Sequence, residues 1–182
     1  MKLACLLSDG FEDIEAIGTI ALLRRSGIEC TIISAFNKKT IMGSYKTEVT
    51  ADLMMKKMNP DEYDGLFIPG GRHAAILRDE EFVLDLVKEF YQKDKWMFAI
   101  CAAPSIFGKA GILDNKKYIS FPSLESFMPR AIRTKEKAVR DGKIITAAGA
   151  GAVYDFAFLI IETIFGKDAR QETEKRTQYV LN

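Results

Sequence analysis

The sequence predicts an α/β fold with a mostly parallel central sheet. Short apolar runs, which indicate buried strands, alternate along the chain with segments whose apolar residues recur at helical spacing. This alternation is typical of βαβ units, in which helices cover both faces of a parallel sheet. Three of the runs stop at small-residue segments, 8–10, 69–71 and 101–103, as strands do before a tight turn. With 182 residues the chain can bury a substantial core, so we expect a single domain spanning residues 1–182.

The first half of the chain predicts three strands, one helix and one irregular excursion. The helix has apolar residues Ile14, Ile17, Ala21 and Leu22 at helical spacing, and Gly27 ends it. The alternating segment 36–55 indicates a hairpin or an edge excursion. In chain order we expect a strand over 2–7, the helix over 12–26, a strand over 29–34, the excursion, and a buried strand over 66–68.

The second half predicts further helices and strands around one loop region. Asp141-Gly142 is a strong hairpin signal, and Gly166 marks the end of a helix. In chain order we expect a helix over 80–93, a strand over 96–100, a helix ending near 108 or 111, a mixed loop over 114–136 with a short strand near 118–119, a hairpin over 138–147, a helix over 152–165 and a surface helix in the tail to 182.

Composition excludes several classes of protein. The 26 Lys and Arg residues nearly balance the 25 Asp and Glu residues, so there is no electrostatic footprint for nucleic acid or for an anionic membrane. No apolar stretch approaches the ~20 residues that span a bilayer. The three cysteines are widely spaced, and no His/Cys cluster has zinc-ligand spacing, so we expect no disulfide, metal or cofactor and a cytoplasmic location. Cys5 and Cys30 lie in apolar runs, which favours inert core positions.

Cys101 is the candidate nucleophile. It joins the apolar run 96–100 to the small-residue segment 102–105, which indicates a thiol on a sharp turn between a strand and a helix. Such a placement resembles the nucleophile elbow of α/β enzymes, with Cys in place of Ser. An inert core thiol is the alternative reading of the same pattern.

Other segments are expected to converge on this thiol because sites in parallel sheets collect beyond the carboxyl ends of the strands. Backbone N–H groups of Gly70 and Gly71 could serve as oxyanion donors, and Glu15 could serve as acid and base. Each has a plainer reading: a tight turn for the glycines, and a partner of the helix dipole for Glu15. Residues 149–151 faintly echo a dinucleotide-binding fingerprint but lack its third glycine, so we place Gly149 and Gly151 only in a possible pocket.

His73 is the only histidine. A Cys–His pair would activate a thiol in the usual way, so His73 is a candidate pocket residue. Nothing in the sequence fixes its orientation, and a surface or loop position is the favoured reading. A papain-like mechanism is therefore poorly supported.

Taken together, the segments resemble one protein family over nearly the whole chain. The motifs are Gly10-Phe11-Glu12-Asp13-Ile14-Glu15, Pro69-Gly70-Gly71, Ala99-Ile100-Cys101-Ala102-Ala103-Pro104, and Gly149-Ala150-Gly151 followed by Tyr154-Asp155-Phe156-Ala157. Their order and spacing resemble the DJ-1/ThiJ/PfpI superfamily, most of all the DJ-1 and bacterial YajL/ThiJ-like branch. The resemblance implies a flavodoxin-like three-layer sandwich that forms a homodimer.

The resemblance also implies roles for individual residues. Cys101 corresponds to the elbow cysteine and Glu15 to the glutamate that hydrogen-bonds it. Gly70, Gly71 and Ala102 correspond to the backbone donors. Many members carry a histidine before a proline after the cysteine helix, and Phe121 stands at that position here, which puts a protease-type mechanism in doubt.

Several activities are ascribed to the family. The hypothesis we favour is glyoxalase III or deglycase chemistry on a small-molecule aldehyde, with Cys101 and Glu15 as the working pair. The alternative is a redox-sensing or chaperone-like stress protein, and less favoured are an intracellular protease or amidase and a protein of thiazole monophosphate biosynthesis. Because two adjacent negative charges disfavour each other, we expect one shared proton, with the pKa of Cys101 below that of free cysteine and the pKa of Glu15 above that of free glutamate.

Overall fold

The computed structural model describes residues 1–180 and shows a seven-stranded, mostly parallel sheet. The strand order is β10-β11-β7-β6-β1-β2-β5, and only β10 runs antiparallel to its neighbour. The strands are β1 Lys2–Leu7, β2 Glu29–Ser34, β3 Thr40–Met42, β4 Glu48–Thr50, β5 Leu53–Met54, β6 Gly65–Ile68, β7 Trp96–Ile100, β8 Lys117–Tyr118, β9 Ile132–Arg133, β10 Ala138–Asp141 and β11 Ile144–Ala147.

Helices cover both faces of the sheet and enclose two cores, so the predicted three-layer α/β architecture is confirmed. One core packs α1 and α5 against the sheet, and the other packs α2, α3 and α4 against the opposite face. The helices are α1 Thr19–Arg25, preceded by a π-helical turn over Ile14–Gly18, α2 His73–Asp79, α3 Glu81–Gln92, α4 Pro104–Lys109, α5 Val153–Phe165 and α6 Lys167–Arg176. No helix among residues 1–180 is both long enough and apolar enough to cross a bilayer.

The topology creates a crevice between β1 and β6. The chain leaves β1 toward the face covered by α1, and it leaves β6 toward the face covered by α2. Adjacent parallel strands whose connections go to opposite faces leave an open crevice at their carboxyl ends, which is where ligands bind in such sheets. The segments after β1 and β6 therefore meet at this point.

The first helix differs from the prediction in which face it buries. Of the four predicted apolar positions, Ile14, Ile17 and Ala21 are exposed and only Leu22 is buried. Ile20 is buried in the core with α5, and Ala16 is buried in a smaller cluster with Leu7 and Phe11. The helical spacing was correct, but the buried face was predicted correctly only at Leu22, because Ala16 and Ile20 repeat at the same helical interval as the predicted residues. The π turn at the start of the helix changes the angular register there and leaves two isoleucines toward solvent.

The irregular segments form short strands. The excursion over 36–55 contains both predicted features: β3 and β4 make a hairpin, and β5 extends the sheet edge. The 138–147 hairpin is confirmed. Two features were not predicted: the helix α2 and the pairing of β8 with β9. The tail helix is present as α6, while residues 181 and 182 of the predicted tail lie outside the described residues.

Candidate active site

Cys101 lies on a strained turn between β7 and α4. Its φ angle is 64°, in the left-handed region that residues with a side chain rarely adopt. Two backbone hydrogen bonds hold the turn: the Cys101 N–H donates to the Ala147 carbonyl at 2.9 Å, and the Phe121 N–H donates to the Cys101 carbonyl at 2.7 Å. Strain of this kind persists where the surrounding structure imposes it, often at functional sites. The turn aims the partly exposed thiol into the crevice.

The predicted partners do meet at this thiol, with one difference. The Cys101 thiol hydrogen-bonds the Glu15 carboxyl and receives the backbone N–H groups of Ala102 and Gly71. The Gly70 N–H instead donates to Oε2 of Glu15 at 2.9 Å. The predicted donors therefore divide between the two side chains: two amides hold the sulfur, and the third orients the carboxyl group.

Glu15 is carried by the π turn and is almost fully buried, with 1% of its surface exposed. Burial raises its pKa from an ordinary value of 4.5 to about 7, and the nearby Glu12 carboxylate adds to the rise. Hydrogen bonds from Cys101, Gly70 and Ala150 act in the opposite direction. The expected rise in the pKa of Glu15 is therefore confirmed. A pKa of about 7 suits a general acid or base that works near neutral pH.

The pKa of the Cys101 thiol is raised, not lowered, so the expected direction of its shift was wrong. Burial raises the pKa of Cys101 above its ordinary value, and the charge and hydrogen bond of Glu15 raise it further. The amides of Ala102 and Gly71 lower it, but by less. The sequence showed the amides and the carboxylate but not the depth of burial, which is the dominant cause. At neutral pH the proton that the pair shares is therefore on the sulfur, and Glu15 is the group positioned to take it.

Two glycines are required by close packing around the pair. A Cβ atom on Gly70 would lie 2.5 Å from Cβ of Cys101 and 2.6 Å from Oε2 of Glu15. Gly71 has a φ of 102° and packs against the backbone of Gly10 and Phe11. Only residues without a side chain allow this approach, so the glycines serve the site through their shape as well as their N–H groups.

Two adjoining cavities open over the thiol. The smaller has a volume of about 310 Å³, the larger has about 630 Å³, and Cys101, Glu12, Tyr45, Gly71 and Phe121 border both. The larger also contains Gly149 and Gly151, as predicted for a pocket, together with Glu15 itself. These volumes suit a small organic substrate.

Sequence reasoning missed several residues of the cavity walls. Ser44 and Tyr45 come from the β3–β4 hairpin, Arg72 follows the glycine pair, and Lys137 precedes β10. The hairpin residues gave no recognisable signal because an exposed turn has no motif that aims it at a distant thiol. Arg72 could have been found, since it directly follows a predicted donor.

The structure corrects both expectations for His73. It is fully buried as the first residue of α2, not on the surface or in a loop, and it does not border either cavity over Cys101. Its Nε2–H donates to the Pro69 carbonyl at 2.9 Å, and its Nδ1 accepts the Ser8 N–H at 3.2 Å. Burial lowers the pKa of His73 to about 4, so the ring is neutral and braces the loops after β1 and β6.

A further cavity of about 340 Å³ lies away from the thiol, beyond β1 and β2. Its walls are Ser8, Asp9, Ser34, Phe36, Lys38, Ile41 and Ile76. It contains none of the residues that hold Cys101 or Glu15. Within residues 1–180 no three His, Cys, Asp or Glu side chains are grouped so that they could hold a metal ion.

The fold and the sequence can be compared with those of known proteins. The crystal structure of Drosophila melanogaster DJ-1beta superimposes with a TM-score of 0.90 at 28% identity, covering 97% of both chains. Oxidized DJ-1 of Toxoplasma gondii gives a TM-score of 0.91 at 27% identity over 99% of both chains. A deglycase of Pyrococcus abyssi is 30% identical over 85% of this chain and 93% of its own.

The share of each relative that is matched varies. The chain spans 92% of the Drosophila protein dj-1beta, at 29% identity, but only 40% of the Arabidopsis thaliana protein DJ-1 homolog B, at 28% identity. Residues 1–163 match the DJ-1/PfpI family as a whole. The match covers β1 through most of α5 and so includes every residue that contacts the thiol. This chain belongs to the DJ-1/PfpI family.

Proposed function

We propose that this protein is a cysteine-dependent enzyme of small reactive carbonyls, with glyoxalase III or deglycase-type activity on 2-oxoaldehydes. The observation that carries the proposal is the hydrogen-bonded pair of a partly exposed thiol, Cys101, and a buried carboxyl, Glu15, whose pKa is raised to about 7. The pair opens into a cavity of suitable size. The name of the Pyrococcus abyssi relative supports the same reaction class.

In the first step Glu15 acts as the base. Its carboxylate takes the thiol proton as the sulfur of Cys101 attacks the aldehyde carbon of the substrate. A carbon–sulfur bond forms, and the carbonyl π electrons move to the oxygen. The developing charge lies beside the sulfur, within reach of the Gly71 and Ala102 N–H groups that held the thiol, and the proton returns from Glu15 to give a hemithioacetal.

The same carboxyl group then serves the later steps. Ionised Glu15 removes the C1 proton of the hemithioacetal to give an enediol, and the proton is returned to C2, leaving a thioester on Cys101. Water cleaves the thioester, so that methylglyoxal and one water give lactate and the free thiol. Because one group serves as acid and base in every step, we expect modest turnover.

The test is lactate formation from methylglyoxal by the wild type and by Cys101→Ala. We expect the variant to lose turnover completely. Cys30→Ala is the matched control, because that cysteine is buried on β2 away from the cavity, and it should keep its activity. Turnover that survives in Cys101→Ala would overturn the proposal.

A redox-responsive protein is the second candidate function. The specific observation is that two amides and a carboxyl group with a raised pKa surround the sulfur, so a protonated Glu15 could donate to an oxidised Cys101 and hold it. After mild peroxide we expect a gain of about 32 Da at Cys101, the mass of two oxygens. Wild-type protein that gains this mass but forms no lactate would favour the sensor over the enzyme.

We further propose that the protein acts in the cytoplasm as a homodimer and binds neither nucleic acid nor membrane. The exposed side chains of Ile14, 60% accessible, and Ile17, 40% accessible, support the dimer. They are three residues apart and so neighbours on the helix surface, and adjoining exposed apolar side chains can mark a protein–protein contact. Light scattering should give twice the chain mass for the wild type and one chain mass for Ile14→Glu/Ile17→Glu.

A further inference from the structure

Arg72 places a cation at the cavity of the reactive thiol. It directly follows Gly71, whose N–H holds the Cys101 sulfur, and consecutive Cα atoms are about 3.8 Å apart. Its side chain borders the smaller cavity together with Cys101, Ala102 and Phe121. A long side chain that starts one residue from Gly71 and borders this cavity is positioned to contact a small molecule bound there.

The guanidinium of Arg72 is available for a ligand. Its polar contact is the Ser44 carbonyl, at 3.4 Å, and over residues 1–180 no carboxylate comes within 4.0 Å of it. Arginine is suited to carboxylate and phosphate because its planar N–H groups match two oxygens at once. An anionic ligand would therefore gain a charged partner without breaking an existing ion pair.

The other charged side chains around the thiol are not free cations that could bind an anion. Lys137, at the larger cavity, already pairs with Asp155 at 3.4 Å. Glu12 is the opposing charge in the smaller cavity, and its Oε2 accepts the Glu15 N–H at 2.7 Å, where the start of a helix partly offsets its charge. Arg72 is thus the cation in this cavity whose charge no carboxylate neutralises.

We propose that Arg72 makes the site selective for small aldehydes that carry a carboxylate or phosphate group near the carbonyl. This rests on the proposed function, since it names the class of carbonyl that the Cys101 site takes. Arg72 binds the anionic group and leaves the carbonyl at the sulfur. It takes part in no bond making or breaking, so it is a specificity residue.

Two alkylating reagents of nearly equal size measure this charge selection without requiring turnover. Iodoacetate is anionic and iodoacetamide is neutral, and with both the Cys101 sulfur displaces iodide. The quantity to measure is the ratio of the two alkylation rates at Cys101. We expect Arg72→Gln to lower the iodoacetate to iodoacetamide ratio about two- to fivefold, the scale of one exposed charge pair. Arg72→Lys should keep most of the ratio, because it keeps the charge.

The controls separate this inference from the function on which it rests. Arg25→Gln removes an exposed arginine at the far end of α1 and should leave the ratio unchanged. The difference between wild type and Arg72→Gln should shrink in about 1 M salt, where charges are screened within about 3 Å. An unchanged ratio in Arg72→Gln overturns the selectivity, whereas a lowered ratio with no lactate formation overturns the enzyme and leaves the anion site standing.

Glyoxylate provides the aldehyde itself as a probe. It can add reversibly to the thiol as a hemithioacetal, so it should protect Cys101 from iodoacetamide. We expect Arg72→Gln to need about two- to fivefold more glyoxylate for equal protection. Propionaldehyde, which is neutral, should protect both proteins at the same concentrations. Equal loss of protection by both aldehydes would show a general effect on the cavity and overturn the charge assignment.

Discussion

Replacing Glu15 by Gln should stabilise the fold at high pH. Glutamine keeps the shape of the side chain and an oxygen for the Gly70 N–H, but it carries no charge into the buried site. In the unfolded chain Glu15 ionises at its ordinary pKa of 4.5, whereas in the folded protein burial holds the pKa at about 7. Between these values the folded state binds more protons than the unfolded state, so the contribution of Glu15 to stability falls as pH rises.

The size of the effect follows from the two pKa values. The difference between 4.5 and about 7, at about 1.4 kcal/mol for each pKa unit, gives about 3 kcal/mol. We expect the free energy of unfolding of Glu15→Gln to match that of the wild type near pH 4.5 after any constant offset. As the pH rises through 7, the free energy of unfolding of the variant should increase relative to that of the wild type. The difference between the two should be constant above about pH 8.

Urea unfolding at half-unit steps of pH, at one protein concentration, measures this gap. Trp96 is the only tryptophan; it is partly buried and stacks on Phe98 of the core, so its fluorescence reports the transition. The wild-type curve alone would mislead, because burial of His73 lowers its pKa to about 4 and makes stability rise with pH over nearly the same range. Subtracting the free energy of unfolding of the wild type from that of the variant at each pH removes the contribution of His73, which is common to both proteins.

An exposed carboxyl group supplies the control. Glu48→Gln, on β4, should show no gap that develops between pH 4.5 and 7. A pH-independent difference between Glu15→Gln and wild type would refute the reasoning, because it would mean that Glu15 does not hold its proton through this range.

Three further predictions concern the surroundings of the pair. Gly70→Ala should lower turnover at least about 100-fold, the low end of what general acid–base placement contributes, because its Cβ would lie 2.5 Å from that of Cys101. Turnover of Gly149→Ala should stay within about threefold of wild type, since its Cβ would lie 3.8 Å from Sγ of Cys101, an ordinary van der Waals contact. Equal losses of turnover in the two glycine variants would contradict the packing argument. The ¹⁵N signals of His73 should show the neutral Nε2–H form without titration down to about pH 5, and a midpoint near 6.5 would disprove its burial. Alkylation of Cys101 by iodoacetamide should rise with pH through about 7 as Glu15 loses its proton, and Glu15→Gln should lose that rise.

The strand ends could be predicted from sequence because they depend on local pattern. Apolar runs that stop at small residues located the turns of Gly70 and Cys101, and parallel strands bring such turns to one edge of the sheet. The buried face of the first helix could not be predicted in the same way. Two sets of apolar positions share one helical period, and only packing against α5 decides between Ile20 and Ile17.

The location of the shared proton was beyond the sequence for a different reason. The amides that favour a thiolate, those of Gly71 and Ala102, could be expected from the motif, and they do contact the sulfur. The cost of burying a charge depends on the whole environment, which no local pattern encodes. That cost outweighs the amides, so Cys101 keeps its proton until Glu15 takes it. In the reaction proposed above, the nucleophile is therefore formed at the moment of attack. The left-handed turn at Cys101 and the π turn at Glu15 place the proton donor beside its acceptor.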